Sequence, residues 1–131
     1  MTTGYRVTFA DPEDSGLPSE DGQAMRFRFT VVPSEFAGTP RERDSTGEHE
    51  LIVRLSESRA KSWGLDPPRR RAVMVHAAVE HVLEAGRHGE FPPSAELRID
   101  TETFPGSLPE HFDRPMTIAG SSIEVERAGP P

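Results

Sequence analysis

Three histidines and three glutamates stand within residues 76–90, HAAVEHVLEAGRHGE. Side chains of these types can hold a divalent metal or relay a proton near neutral pH. A zinc-binding helix of either histidine orientation sets its two imidazoles four residues apart, so that both reach one ion. His76 and His81 are five apart, a rotation of about 500° that leaves the rings roughly 140° from each other. That pair cannot share a metal. His76, Glu80 and Glu84 do align, because successive i, i+4 steps drift only about 40° and form one ridge. They are the candidate metal set. The competing reading is a solvated helix face bordering an apolar stripe, with Glu80 beside His76 and in reach of Arg69 or Arg87. Metal sites usually draw ligands from separate elements, so the solvated face is the expectation. His49 and His111 sit in or beside loops, His81 lies opposite the stripe, and His88 follows the expected helix end. Neither His81 nor His88 has a serine at a nucleophile's spacing, and no G-x-S-x-G elbow occurs. No catalytic residue is assigned and no cofactor is expected.

A second candidate is Arg69-Arg70-Arg71 at the start of the same helix. Positive charge there opposes the helix dipole unless an anion docks on the free amides. These three residues are the candidate ligand-binding set, for a phosphorylated ligand. Pro67 and Pro68 remove two amides, no glycine-rich loop precedes them, and Asp66 can neutralise the cluster locally. A third candidate, DPEDSGLPSEDG at 11–22, has the length of a calcium loop, with Asp11, Glu13 and Ser15 at its first, third and fifth positions and glycine at its sixth. Gly22 occupies the twelfth position, where a bidentate glutamate is needed, and the flanks read as strands. The stretch is expected to be a connection. Asp100, Glu102, Glu110, His111 and Asp113 are further polar residues, placed where loops 86–94 and 101–115 could converge.

These residues must be positioned by a sheet and helices. Apolar–polar alternation marks strands at 5–9, 25–31, 50–55 and 95–99. The segments 116–118 and 123–125 flank Ala-Gly-Ser-Ser and read as a hairpin. Ser56 caps a short helix over about 57–63, with Ala60 and Trp63 inward and Gly64 as a left-handed stop. Asp66-Pro67 opens a longer helix over about 67–85, ended by Gly86. Ala72, Val75, Val79, Val82 and Leu83 form its apolar stripe, while Val73 is read as exposed. The strand-helix-helix order of 50–85 is superficially similar to a ribbon-helix-helix unit. Four further strand candidates surround it, and only Arg54 could read bases. The expected architecture is a single α+β domain over 1–131. Its antiparallel sheet has four to six strands, with the two helices packed on one face. Mobile loops are expected near 11–24 and 37–48, and a frayed end at 128–131.

Composition narrows the function further. The absence of cysteine excludes disulfides, zinc–thiolate sites, iron–sulfur clusters and thiol nucleophiles. A net charge of -7 disfavours non-specific binding to nucleic acid or anionic membranes. No apolar run approaches the ~18 residues that span a bilayer, and no secretory signal opens the chain. A soluble, cytoplasmic protein is expected. Its sheet should show Arg6, Arg26, Arg28 and Arg98 with Glu96, Glu124 and Glu126 on the wet face, provided that Phe27 and Phe29 are buried. If those rings faced outward, the sheet would suit RNA stacking instead. The reading that results is a non-enzymatic interaction or regulatory domain with a protein partner or self-association as a homodimer. The alternatives are a binder of phosphorylated ligand or nucleic acid through arginines, and a metal-dependent enzyme.

Overall fold

Alternating side chains send one set of apolar residues to each strand's inner face, and the strands order themselves around that set. The computed structural model describes residues 4–14 and 22–127. Its strands are β1 (Gly4–Phe9), the two-residue β2 (Glu13–Asp14), β3 (Gln23–Pro33), β4 (Gly47–Leu55), β5 (Ser94–Ile99) and β6 (Ser122–Glu126). They form one sheet in the order β5-β4-β3-β1-β6, with β2 beside β3. Val7, Phe9, Met25, Phe27, Phe29, Leu51, Val53, Leu55, Ile99 and Val125 are all buried in one core. Phe27 is 1 % exposed, so the aromatic rings face inward and the arginines outward. The outward stacking face that RNA binding would need is therefore absent from β3.

The helices follow from caps and periodicity. Ser56 accepts a hydrogen bond from Arg59 N and starts α2 (Glu57–Ser62); Asp66 does the same for Arg69 N and starts α3 (Pro67–His88). A 3-10 turn (Ser34–Phe36) precedes the stretch 37–48 expected as a loop; a single helical turn, Glu42–Ser45, interrupts that stretch, and β4 takes its last two residues. Thr46 Oγ1 ties that turn off by donating to Glu42 O at 2.6 Å. We label the turn α1. None of the described helices is long and apolar enough to cross a membrane.

Several expectations need correction. The sheet is α+β as expected but mixed, because β5 runs parallel to β4. The chain leaves β4 through two helices before returning, and such a crossover delivers a parallel strand where a tight turn would deliver an antiparallel one. Residues 116–118 form no strand. Ile118 is buried by a turn in which Ser121 N donates to Ile118 O, Gly120 N donates to Phe9 O, and β6 pairs with β1 instead. Val73 is fully buried, as are Ala72, Met74 and Val75 around it. Helix α3 is covered on two sides, by the sheet and by residues 112–114, which meet it at His76 and Arg69.

The helix also runs past Gly86 to Gly89, whose φ of 69° closes it in the left-handed conformation. Gly86 is there for space: a Cβ on it would lie 2.2 Å from Val125 Cγ1 of β6. Of the loop expected at 11–24, residues 13–14 pair with β3 and Gln23 opens that strand. Residues 15–21 and the end expected to fray, 128–131, lie outside the described residues.

Candidate functional site

Two members of the arginine cluster are consumed by the fold. Arg69 donates from Nε and Nη2 to Asp113 Oδ2 at 3.2 and 2.8 Å, and from Nη1 to Gly64 O at 2.9 Å. Arg70 grips Glu57 with both Nη atoms, at 2.8 and 3.1 Å, while its Nε donates to Leu65 O. The planar fork of arginine suits such bidentate work. Each guanidinium holds its carboxylate partner below the ordinary carboxyl pKa, with the hydrogen bond as the largest cause. Arg71 is exposed and, among the described residues, has no ionic partner. An anion approaching this helix start would meet one free guanidinium, not three.

The histidine ridge is divided among separate partners. His76 stacks on Phe112, with centroids 5.5 Å apart and planes at 19°, and its Nε2 lies 3.0 Å from Arg114 O. A carbonyl only accepts, so Nε2 carries the proton in this contact. Glu80 stays exposed, while Glu84 turns away to His88 at 2.9 Å and Arg87 at 3.3 Å. Among the described residues no three His, Asp or Glu side chains gather as a metal site would need. His49 packs flat on Phe29 and contacts Pro92 O through Nδ1 at 2.8 Å. His81 is half-buried, and desolvation lowers its pKa.

The polar residues of 100–113 do not converge either. Asp113 belongs to Arg69, and His111 sits at φ 72° beside Glu110 at 3.5 Å. Asp100 Oδ1 accepts from Glu102 N, Thr103 N and Thr103 Oγ1, which holds the carboxyl below its usual pKa. This segment instead encloses Arg59, which is 8 % exposed. Arg59 lies over the Trp63 ring at 4.5 Å, donates to Phe104 O and Ser62 Oγ, and leaves its buried Nε without an acceptor. No aspartate or glutamate neutralises it among the described residues. Sequence reasoning overlooked this residue, since nothing local marks an exposed-looking helix arginine as buried.

What remains is the sheet face opposite α3. There the 34–46 stretch approaches only one end, where Val32 is buried outside the main core. The rest carries ion pairs between neighbouring strands, directly opposite for Arg6 and Glu124 and diagonal for Arg54 with Glu96 and Arg26 with Glu50. Arg6 Nε meets Glu124 at 2.7 Å; Arg54 and Arg98 both donate from Nε to Glu96 Oε1 at 3.0 Å. Arg26 Nε lies 2.6 Å from Glu50 Oε1, although its N–H is not aligned on that oxygen. Hydrogen bonds from Arg98 and from Arg6 lower the pKa of Glu96 and Glu124 respectively.

A groove of about 420 Å³ crosses this face, lined by Thr8, Ala10, Arg28, Glu48, Glu50 and Pro93. Phe29 and His49, whose side chains turn to the other face, line its floor. Arg28 and Glu48 are exposed and without ionic partners among the described residues. Arg6, Arg26, Arg28, Arg98, Glu96 and Glu124 were legible for this face from alternation; Glu48, Glu50 and the groove were not. β4 lies between β3 and β5 inside the sheet, so the ribbon-like likeness of 50–85 does not extend to a free DNA-reading ribbon. Compared with known proteins, the chain matches no protein family, no curated protein and no solved structure.

Proposed function

We infer that the protein is a non-enzymatic interaction domain that offers the charged side of its sheet to a polypeptide partner. One observation carries this reading. The long helix and the 100–118 segment are spent on one face, and the other presents ordered charges around a groove lined by Arg28 and Glu48, which have no ionic partner among the described residues. Groups held this way suit recognition. Glu96 and Glu124 are kept ionised by their arginines, which fits steady charge complementarity and not proton transfer near neutral pH.

Native mass spectrometry of untagged protein purified without chelator tests the reading. The expected spectrum shows a polypeptide partner in fixed stoichiometry, lost when Arg28→Glu and Glu48→Lys are combined. A stoichiometric metal or small molecule with no polypeptide would overturn it.

A further inference from the structure

The two edges of the sheet are not equivalent, and the difference can be read from backbone direction. On β5, Pro93 O accepts from Glu50 N and Ile99 O accepts from Ser56 N. Backbone groups alternate along a strand, so residues 95 and 97 also face β4, while Ser94, Glu96, Arg98 and Asp100 point outward. The outer end of that row is closed. Thr103 Oγ1 donates to Arg98 O at 2.8 Å and accepts from Asp100 N at 3.3 Å. The hydroxyl sits where the backbone of an added strand would run.

On β6, Phe9 N donates to Ser121 O, so residues 123 and 125 face β1 and Ser122, Glu124 and Glu126 point outward. Among the described residues nothing pairs with their outward N–H and C=O groups. An unguarded edge is a template for another strand.

The side chains of β6 state which strand fits. Ser122, Glu124 and Glu126 are exposed on the charged face, and Ile123 is half-buried on the apolar one. Glu124 already has Arg6 and Ser34, whereas Glu126 stands opposite Gly4 with no ionic partner among the described residues. A second copy fits poorly. Antiparallel self-pairing that lets the outward amides meet sets Glu124 opposite Glu124 or Glu126 in two registers, where like charges directly opposite are unfavourable; the third, with Glu124 opposite Ser122, carries Glu126 past the end of the strand to Gly120 and shortens the ladder. The chain's net charge of -7 adds repulsion between copies.

We propose that β6 is the docking edge for an extended partner segment. Its basic side chains alternate with apolar ones and lie opposite Glu124 and Glu126, with the apolar set beside Ile123. This deepens the interaction reading and rests on it. The added strand extends the charged face by one row.

The test uses the full chain and a short synthetic peptide alternating lysine and valine, with a glutamate–valine peptide as control. Hydrogen exchange should show the Ser122, Glu124 and Glu126 amides protected by the basic peptide only, with Ser94, Glu96 and Arg98 unchanged. Glu126→Lys should weaken binding about three- to tenfold, as reversal of one cross-strand charge pair implies. Glu124→Pro removes an outward donor that a sheet edge can spare, and should abolish binding while circular dichroism stays native. Protection confined to β5, or no binding of the basic peptide, overturns the edge assignment; a polypeptide retained in the native spectrum would still uphold the interaction reading. Concentration-dependent protection of β6 amides without peptide would assign the edge to a second copy and overturn the basic partner.

Discussion

Replacing Gly86 by alanine sets two magnitudes against each other. In an ordinary helix interior the change stabilises by about 1 kcal/mol, because glycine is the costlier residue there. Here the new Cβ would stand 2.2 Å from Val125 Cγ1 and 3.0 Å from Val125 Cβ. Carbon atoms at rest keep about 3.5–4.0 Å. Val125 is 4 % exposed on a strand paired to β1, so relief requires either a poor rotamer or a shift of β6 from the helix. Overpacking of this kind costs about 1–3 kcal/mol, and we expect it to prevail, with Gly86→Ala destabilising by up to about 2 kcal/mol net. Val125→Ala removes the methyl at 2.2 Å and leaves the Cβ at 3.0 Å, so in that background most of the cost of Gly86→Ala should vanish. The coupling between the two sites should be about 1–2 kcal/mol. Urea unfolding of the four proteins, with unchanged m-values, measures it. If Gly86→Ala alone matches or exceeds the parent, or its cost persists in the Val125→Ala background, the close-approach argument is wrong.

Two further predictions concern buried polar groups. Arg59→Ala should destabilise by about 2–3 kcal/mol through lost packing on Trp63 and a carbonyl left at Phe104, with Arg59→Met costing less. Trp63 is the sole tryptophan, so its fluorescence reports loosening of 100–108; an unshifted spectrum in Arg59→Ala would count against the enclosure. Burial lowers the His81 pKa, so the unfolded chain binds that proton more readily than the folded one. The stabilisation from a neutral His81 is complete above about pH 6.5 and is lost as pH falls below it. His81→Gln should flatten stability between about pH 5 and 7. The lowered carboxyl pKa values act in a separate window, their stabilisation being lost only as pH drops below about 4. A slope near pH 6 that persists in His81→Gln would refute this assignment.

Local chemistry was legible in the sequence and long-range pairing was not. Alternation gave β3 and β4 their faces, and the capping roles of Ser56 and Asp66 follow from residue types that compete for helix-end amides. Strand direction leaves no such trace. The alternation of β5 looks the same whichever way the strand runs, and only the helical crossover makes it parallel. Val73 looked exposed because a single stripe was assumed, whereas a helix between two layers buries a wider arc. Gly86 looked like a stop because glycine serves both as helix terminator and as a gap for a neighbour. The partners of Arg69 and Arg70 stand 44 and 13 residues away, so the cluster seemed freer in sequence than it is in space. Likewise the edges could be counted from strand number, but not which one Thr103 shortens.

That single hydroxyl carries a consequence for assembly. A sheet with two receptive sides is a bifunctional monomer in the polymer chemist's sense: each addition leaves another reactive end, and growth proceeds to filaments. With Thr103 lodged against Arg98 and Asp100, the β5 side keeps only the shorter row at Ser94 and Glu96. On the proposal made above, addition at β6 is then the favoured step and growth from the opposite side the handicapped one, which biases hydrogen bonding between sheets toward small complexes and away from fibres.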